Sequence, residues 1–297
     1  MTKVFLCTAR RTPNGRYGGD LATPRADAIA KPDPAFMQSP QMFASTIGLR
    51  FVNVRSAASY GSQSMPKKPE NAAADRGISR VDQDTYACRS QMGYTATRHA
   101  ADSLPVTQTG QNGGSTVITA DQHPRSTSLE KLAAPFCAGG PVTASTSANI
   151  NDGACAMILA SAAGITRSGL VRIARLGAAS SGAVAPRVMA QAPNAAVARL
   201  CTQTGLTPTA FDTAVLNKTF ATQVLACTRA WGLPDDAAHA NAQGGSIATG
   251  HPLGVSGART VATAARRLFE TGGKTALATL CLSVGVGQGV ALAVHSL

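Results

Sequence analysis

Apolar residues occur along this chain in short bursts. Residues 3–8 (KVFLCT) read as a short buried strand that stops at RTPNGRYGG, where Pro13, Gly15, Gly18 and Gly19 forbid regular structure. From Lys31 to about Gly61 the pattern is irregular, broken by Pro32, Pro34 and Pro40. Helical spacing starts at 66–76 and is clearer over 79–101, where Ser79 and Asp82 spell a capping box and Val81, Tyr86 and Met92 supply part of an apolar face. Residues 105–141 are again loop-rich. Beyond them, apolar runs at 154–160, 171–178, 213–217, 275–282 and 289–294 predict buried strands, and helical patterns at 194–203, 218–231 and 255–270 lie between them. Alternating strands and helices imply an α/β layered fold.

At 297 residues, 44% of them hydrophobic, the chain can bury one large core or two smaller ones. Lys and Arg outnumber Asp and Glu by 27 to 15, and the net charge of +12 favours an anionic partner. The basic residues are dispersed: Arg10-Arg11, Lys67-Lys68 and Arg266-Arg267 are the densest groups, and none extends into a stripe. Only 4% of residues are aromatic, too few for a base-stacking platform, so a small anionic ligand fits better than nucleic acid. Seven cysteines without a C-x-x-C pair and five scattered histidines predict neither a disulfide framework nor a metal site. The N-terminal apolar stretch is too short for a signal peptide, and no window reaches the length of a membrane span. The expectation is a soluble protein of a reducing, cytoplasmic compartment with no membrane partner.

The densest cluster of unusual residues runs from Asn241 to Arg259, NAQGGSIATGHPLGVSGAR. Its glycines let backbone approach a ligand closely, and His251, held between Gly250 and Pro252, is a candidate base or hydrogen-bond donor. The competing reading is a glycine-rich connection whose histidine caps the next helix. A second run, Gly285 to Gly289, leaves only eight residues after it, too few for the helix and strand of a dinucleotide cradle. Cys281 ends a predicted strand just before it and reads by itself as a small core residue.

Together these segments resemble the thiolase family, whose signature N-x-x-G-G-x-I-A-x-G-H-P-x-G-x-S-G-x-R is followed by a C-x-G-x-G-Q-G turn. The resemblance extends to RTPNGRYGGDLATPRAD (11–27), IGLRFVN (47–53), YGSQSMP (60–66), SRVDQDTYACRSQ (79–91), NDGACAMILAS (151–161) and VAPRVM (184–189). Its wording is most similar to the branch that cleaves 3-oxoadipyl-CoA to acetyl-CoA and succinyl-CoA. The resemblance implies two five-stranded α/β halves in layers, with an inserted loop domain that helps hold coenzyme A. Residues 1–163 then form a truncated N-terminal half (1–30 and 142–163) around a loop domain at 31–141, and 164–297 form a nearly complete C-terminal half. It further implies acyl-CoA and coenzyme A as substrates, no permanently bound cofactor and no metal, and a homo-oligomer or a hetero-oligomer with a full-length thiolase.

Three site residues carry over by position. His251 matches the histidine that activates the family's nucleophilic cysteine, Cys281 the second cysteine that moves the α-carbon proton, and Asn217 the asparagine that helps polarise the thioester oxygen through water. The departures are equally specific. After Ala30 the segment that bears the family's attacking cysteine is absent, and Cys7, Cys88, Cys137, Cys155, Cys201 and Cys227 read as structural. The N-E-A-F motif appears as Asn217-Lys218-Thr219-Phe220, and the cysteine turn is two residues longer, so that Ser283 competes with Cys281. Ala148 stands where the family has a serine near coenzyme A, and Arg125, Lys131 and Arg187 are either cofactor contacts or ordinary solvated charges. The function implied is an acyl-CoA C-acyltransferase impaired by the lost segment; the alternative is a non-catalytic thiolase-like assembly partner.

Overall fold

The computed structural model describes residues 3–16, 28–31, 41–44, 54–61, 63–109, 114–131, 136, 139–149, 151–217, 219–282 and 287–297. Among them, six strands form one mixed sheet. Strands β1 (Val4–Arg11), β2 (Cys155–Ser161), β3 (Ala174–Ala183), β4 (Thr213–Asn217), β5 (Thr275–Leu282) and β6 (Gln288–His295) lie side by side in the order β4-β5-β6-β3-β1-β2. β4 and β5 are parallel, with Asn217 opposite Leu280. β5 and β6 form an antiparallel hairpin with Cys281 opposite Gly289. Among the described residues the chain before residue 164 contributes β1 and β2 to this sheet, and the chain after it contributes the other four strands. An unpaired strand edge is a strong template. β1 uses one edge for β2 and offers Val4–Leu6 on the other to β3, which joins the two parts.

Each sheet face is covered by helices. On one face lie α1 (Lys67–Arg76), α2 (Arg80–Gly93), α3 (Ala192–Thr204) and α4 (Ala221–Ala230), packing Leu200, Leu216, Val224, Leu225, Leu277 and Ala293 into one core. On the other, the 19-residue helix α6 (Leu253–Thr271), which follows the short α5 (Gly245–Thr249), packs Ala264, Ala265 and Leu268 against Leu6, Val215, Ala276 and Val294. Burying each of these leucines or valines contributes about 1.5–3 kcal/mol. α3 comes unusually close to the sheet because the facing residues Gly182 and Gly289 are glycines: a Cβ on Gly182 would lie 2.5 Å from Ala196 N, and one on Gly289 would strike Ala192 O.

The structure differs from the sequence reading in several places. The helix expected over 79–101 breaks after Gly93, whose Cβ position is only 3.1 Å from Gly244 N; Tyr94 then stacks on His99, and a short helix spans Ala96–Ala100. The Ser79–Asp82 capping box is present. Of the expected apolar face, Tyr86 is buried in the core, but Val81 and Met92 are exposed, and the polar residues Gln83, Ser90 and Gln91 are buried. The irregular stretch 31–61 holds parts of a hairpin (Ala28–Lys31 with Gln41–Ala44) and a helix at Val54–Tyr60. Loop-rich 105–141 contains a hairpin of Val106–Thr109 with Ser115–Ile118. The strand expected at 171–178 runs from Ala174 to Ala183, after a helix at Ala162–Ser168.

Candidate active site

The glycine-rich connection carries His251 from α5 into α6, and its shape is fixed by Asn151. Asn151 Oδ1 accepts from His251 N at 2.8 Å, and Asn151 Nδ2 donates to Gly15 O at 2.9 Å. Gly250 adopts φ +88° and ψ 174°, a region open essentially to glycine alone, and its Cβ position lies 2.5 Å from Asn151 Oδ1. The glycine before His251 is therefore required twice over. Further back, Asn241 takes a left-handed φ of 47°, accepts from Leu216 N at 2.8 Å and donates to Tyr86 Oη at 3.0 Å, tying the connection to β4.

His251 is 9% exposed and Asn217, the last residue of β4, only 1%. His251 Nδ1 lies 2.6 Å from Ser256 Oγ, and that hydroxyl donates to Pro252 O at 2.9 Å. Ser256 thus ties the ring of His251 to the first turn of α6. Asn217 Nδ2 sits 3.4 Å from the same ring nitrogen. Its Oδ1 accepts from Ser246 Oγ at 2.5 Å and from Arg259 Nη2 at 3.0 Å, which fixes the amide orientation. Burial, and after it the Arg259 charge, lowers the His251 imidazole to about 4, leaving it neutral at neutral pH. Arg259 is itself buried, and burial together with the Arg11 charge lowers its guanidinium to about 10.

Charge on β1 and the loop after it holds the end of α5 near this cluster. Arg11 grips Asp121 with two hydrogen bonds of 2.6 and 2.8 Å, and Asp121 also accepts from Asn14 N. Asn14 Nδ2 in turn donates to Thr249 O at 2.7 Å, holding the end of α5. Burial raises Asp121, but the Arg11 contacts outweigh it and hold the carboxyl below its usual range. The result is a rigid site with a neutral base, a fixed amide and a buried cation, suited to taking a proton from a bound thiol and stabilising negative charge.

The structure brings His251 and Asn217 together and does not bring Cys281 to them. Asn217 is in register with Leu280, so Cys281 projects from the opposite face of the sheet, where its thiol donates to Met189 O at 3.2 Å. Both residues nevertheless sit at the carboxyl ends of parallel neighbours, the end at which open α/β sheets bind ligands. Ser283, Lys218 and Cys137 lie outside the described residues. Arg187 is bound to Asp75 through two hydrogen bonds of 2.8 and 2.9 Å. Ser256 and Arg259, an i, i+3 pair on one helix face, belong to the segment that stood out in the sequence, whereas the roles of Asn151 and Asp121 carry no local signal. Among the described residues no His, Cys, Asp and Glu cluster could hold a metal, and no helix is long and apolar enough to cross a membrane.

The family models for the thiolase N-terminal and C-terminal domains match residues 52–163 and 170–296. The beta-ketoadipyl-CoA thiolase of Pseudomonas aeruginosa is 45% identical over 288 residues, covering 94% of this chain and 71% of that protein. The chain belongs to the thiolase family. Another relative, the 3-oxoadipyl-CoA/3-oxo-5,6-dehydrosuberyl-CoA thiolase of Escherichia coli K12, is 42% identical over 93% of this thiolase-family chain and 70% of its own length. In fold this chain is similar to the Bacillus anthracis acetyl-CoA acetyltransferase, with a TM-score of 0.85 at 20% identity, over 100% of this chain and 99% of that one. Human mitochondrial 3-ketoacyl-CoA thiolase gives a TM-score of 0.83 at 23% identity, again over 100% and 99% of the two chains. The α/β thiolase fold read from the sequence is thus present.

Proposed function

We propose that this chain is an acyl-CoA C-acyltransferase of the thiolase type, cleaving a 3-oxoacyl-CoA with coenzyme A to acetyl-CoA and a shortened acyl-CoA. The names of its relatives point to 3-oxoadipyl-CoA as the acyl chain. The observation that carries the reading is the neutral, buried His251, held by Ser256 beside the fixed Asn217. His251 takes the thiol proton, and Asn217 steadies the thioester oxygen through water. The net charge of +12 favours the phosphates of coenzyme A, held between residues 164–297 and the loop domain at 31–141 in a homo-oligomer or hetero-oligomer of the cytoplasm.

Chromatography of 3-oxoadipyl-CoA incubated with coenzyme A tests this directly. Acetyl-CoA and succinyl-CoA should accumulate with the wild type and not with His251→Ala; equal product with both overturns the assignment. The placement of Cys281 on the sheet face away from His251 supports a second reading, a non-catalytic assembly partner. That reading predicts no product and a stable hetero-oligomer when the chain is mixed with a full-length thiolase.

A further inference from the structure

Helix α6 carries two arginines into one small cavity. Arg259 and Arg267, two turns apart on that helix, line it together with His99, Thr213, Val215 and Gln243, where α6 crosses β4 beside the glycine-rich connection. Arg259 is only 5% exposed. Its Nη2 donates to Asn217 Oδ1 at 3.0 Å and to Ser246 Oγ at 2.9 Å, both uncharged acceptors, and its Nε is buried with no partner among the described residues. Arg267 shares that feature: its Nε is also buried and unpartnered, and its Nη1 meets Glu270 Oε2 only at 3.9 Å. That same carboxylate oxygen accepts from Gln243 Nε2 at 3.4 Å. Asp121 and Asp102 answer other arginines, Arg11 and Arg266. Two positive residues, each with a spare N–H, thus line a space whose wall contains no carboxylate. A buried charge costs stability unless a counter-charge or a full set of hydrogen bonds answers it.

The size of the space limits what can answer these charges. About 10 Å³ is open to the centre of a water-sized sphere, room for one water or one monatomic ion. A water would accept from one N–H and leave both charges uncompensated, and a phosphate or carboxylate group is too large to enter. We propose that this cavity is a halide site, holding a single chloride ion between Arg259 and Arg267. The ion accepts from the N–H of Arg259 Nε, and the Arg267 guanidinium supplies the second positive charge. The net charge of +12 draws anions to the molecule as a whole. Once bound, the ion compensates the cation that fixes the Asn217 amide and ties α6 to β4. It binds the folded chain and has no equivalent site in the unfolded one, so it stabilises the fold by mass action.

The test is thermal melting of the full chain in sodium chloride against sodium gluconate at equal ionic strength, gluconate being too large for the cavity. Chloride should raise the melting temperature saturably, by about 2 °C once it exceeds its dissociation constant about tenfold. In Arg259→Gln and in Arg267→Gln the rise should vanish, because each variant removes one of the two charges. Crystals of the wild type soaked in sodium bromide supply an independent reading: an anomalous peak in the cavity, in hydrogen-bond reach of Arg259 Nε, is expected. That map decides the matter even where Arg259→Gln fails to fold. No rise with chloride, or a rise that both variants keep, overturns the site, as does a cavity free of bromide, which then holds water. A bromide peak there without a chloride-dependent melt marks an adventitious ion only and overturns it too.

Discussion

Replacing Gly250 by alanine strikes the connection that presents His251. The backbone there, at φ +88° and ψ 174°, is one that residues with a Cβ reach only at a cost of about 1–3 kcal/mol. The new methyl would also lie 2.5 to 2.8 Å from three atoms of the Asn151 amide and must displace it. Displacement breaks the bonds to His251 N and Gly15 O, each buried and worth about 1 kcal/mol. Gly250→Ala should therefore lower stability by about 3–5 kcal/mol, a large share of the 5–15 kcal/mol typical of a domain. Equilibrium urea unfolding at neutral pH, followed by circular dichroism, reads it. Asn151→Ala alone should cost about 2 kcal/mol, and the double variant should fall short of the sum by at least about 1 kcal/mol, because the smaller side chain leaves room for the methyl. A Gly250→Ala variant within about 0.5 kcal/mol of the wild type would refute the reasoning.

Acid should destabilise the fold through its buried histidines. Burial above all holds His99, His123 and His251 to about 4, so between about pH 4 and 6.5 the unfolded chain binds protons that the native one does not, and stability rises with pH. The melting temperature should fall from pH 7 to pH 5, with a shallower slope in His251→Gln; equal slopes would contradict the burial of that ring. Asp121→Asn leaves the Arg11 guanidinium buried without its anion and should cost about 3–5 kcal/mol in urea unfolding, whereas a loss under about 1 kcal/mol would show the pair to be solvated. β2 is an outer strand of the sheet with Ile158 and Leu159 nearly half exposed, so Ile158→Lys should reduce light scattering of concentrated samples; unchanged scattering would remove that edge as the cause of association.

The C-terminal part was legible because packing there follows the apolar pattern. The runs at 213–217 and 275–282 coincide with β4 and β5, and the spacing of Val255, Ala264, Ala265 and Leu268 placed α6. Helix α2 inverted its pattern for a physical reason. It packs on the backbone of the glycine-rich connection, whose carbonyls need donors: Ser90 Oγ bonds to Gly244 O, and Gln91 Nε2 donates to Ile247 O at 3.0 Å. Polar residues are thus buried while Val81 and Met92 face out. At the site, His251 and Asn217 stood out by motif. Asn151 and Asp121 depend on contacts across 100 residues or more that no local pattern encodes.

The central claim is that His251 stands neutral in its buried place beside Asn217. Long-range nitrogen–proton correlation of the imidazole, with the chain labelled at histidine and His251 assigned by its absence in His251→Gln, reads both tautomer and titration. The account predicts a neutral imidazole in a single tautomer at neutral pH, with no protonation until the pH nears about 4. A titration near the ordinary histidine value of about 6.5 would contradict it.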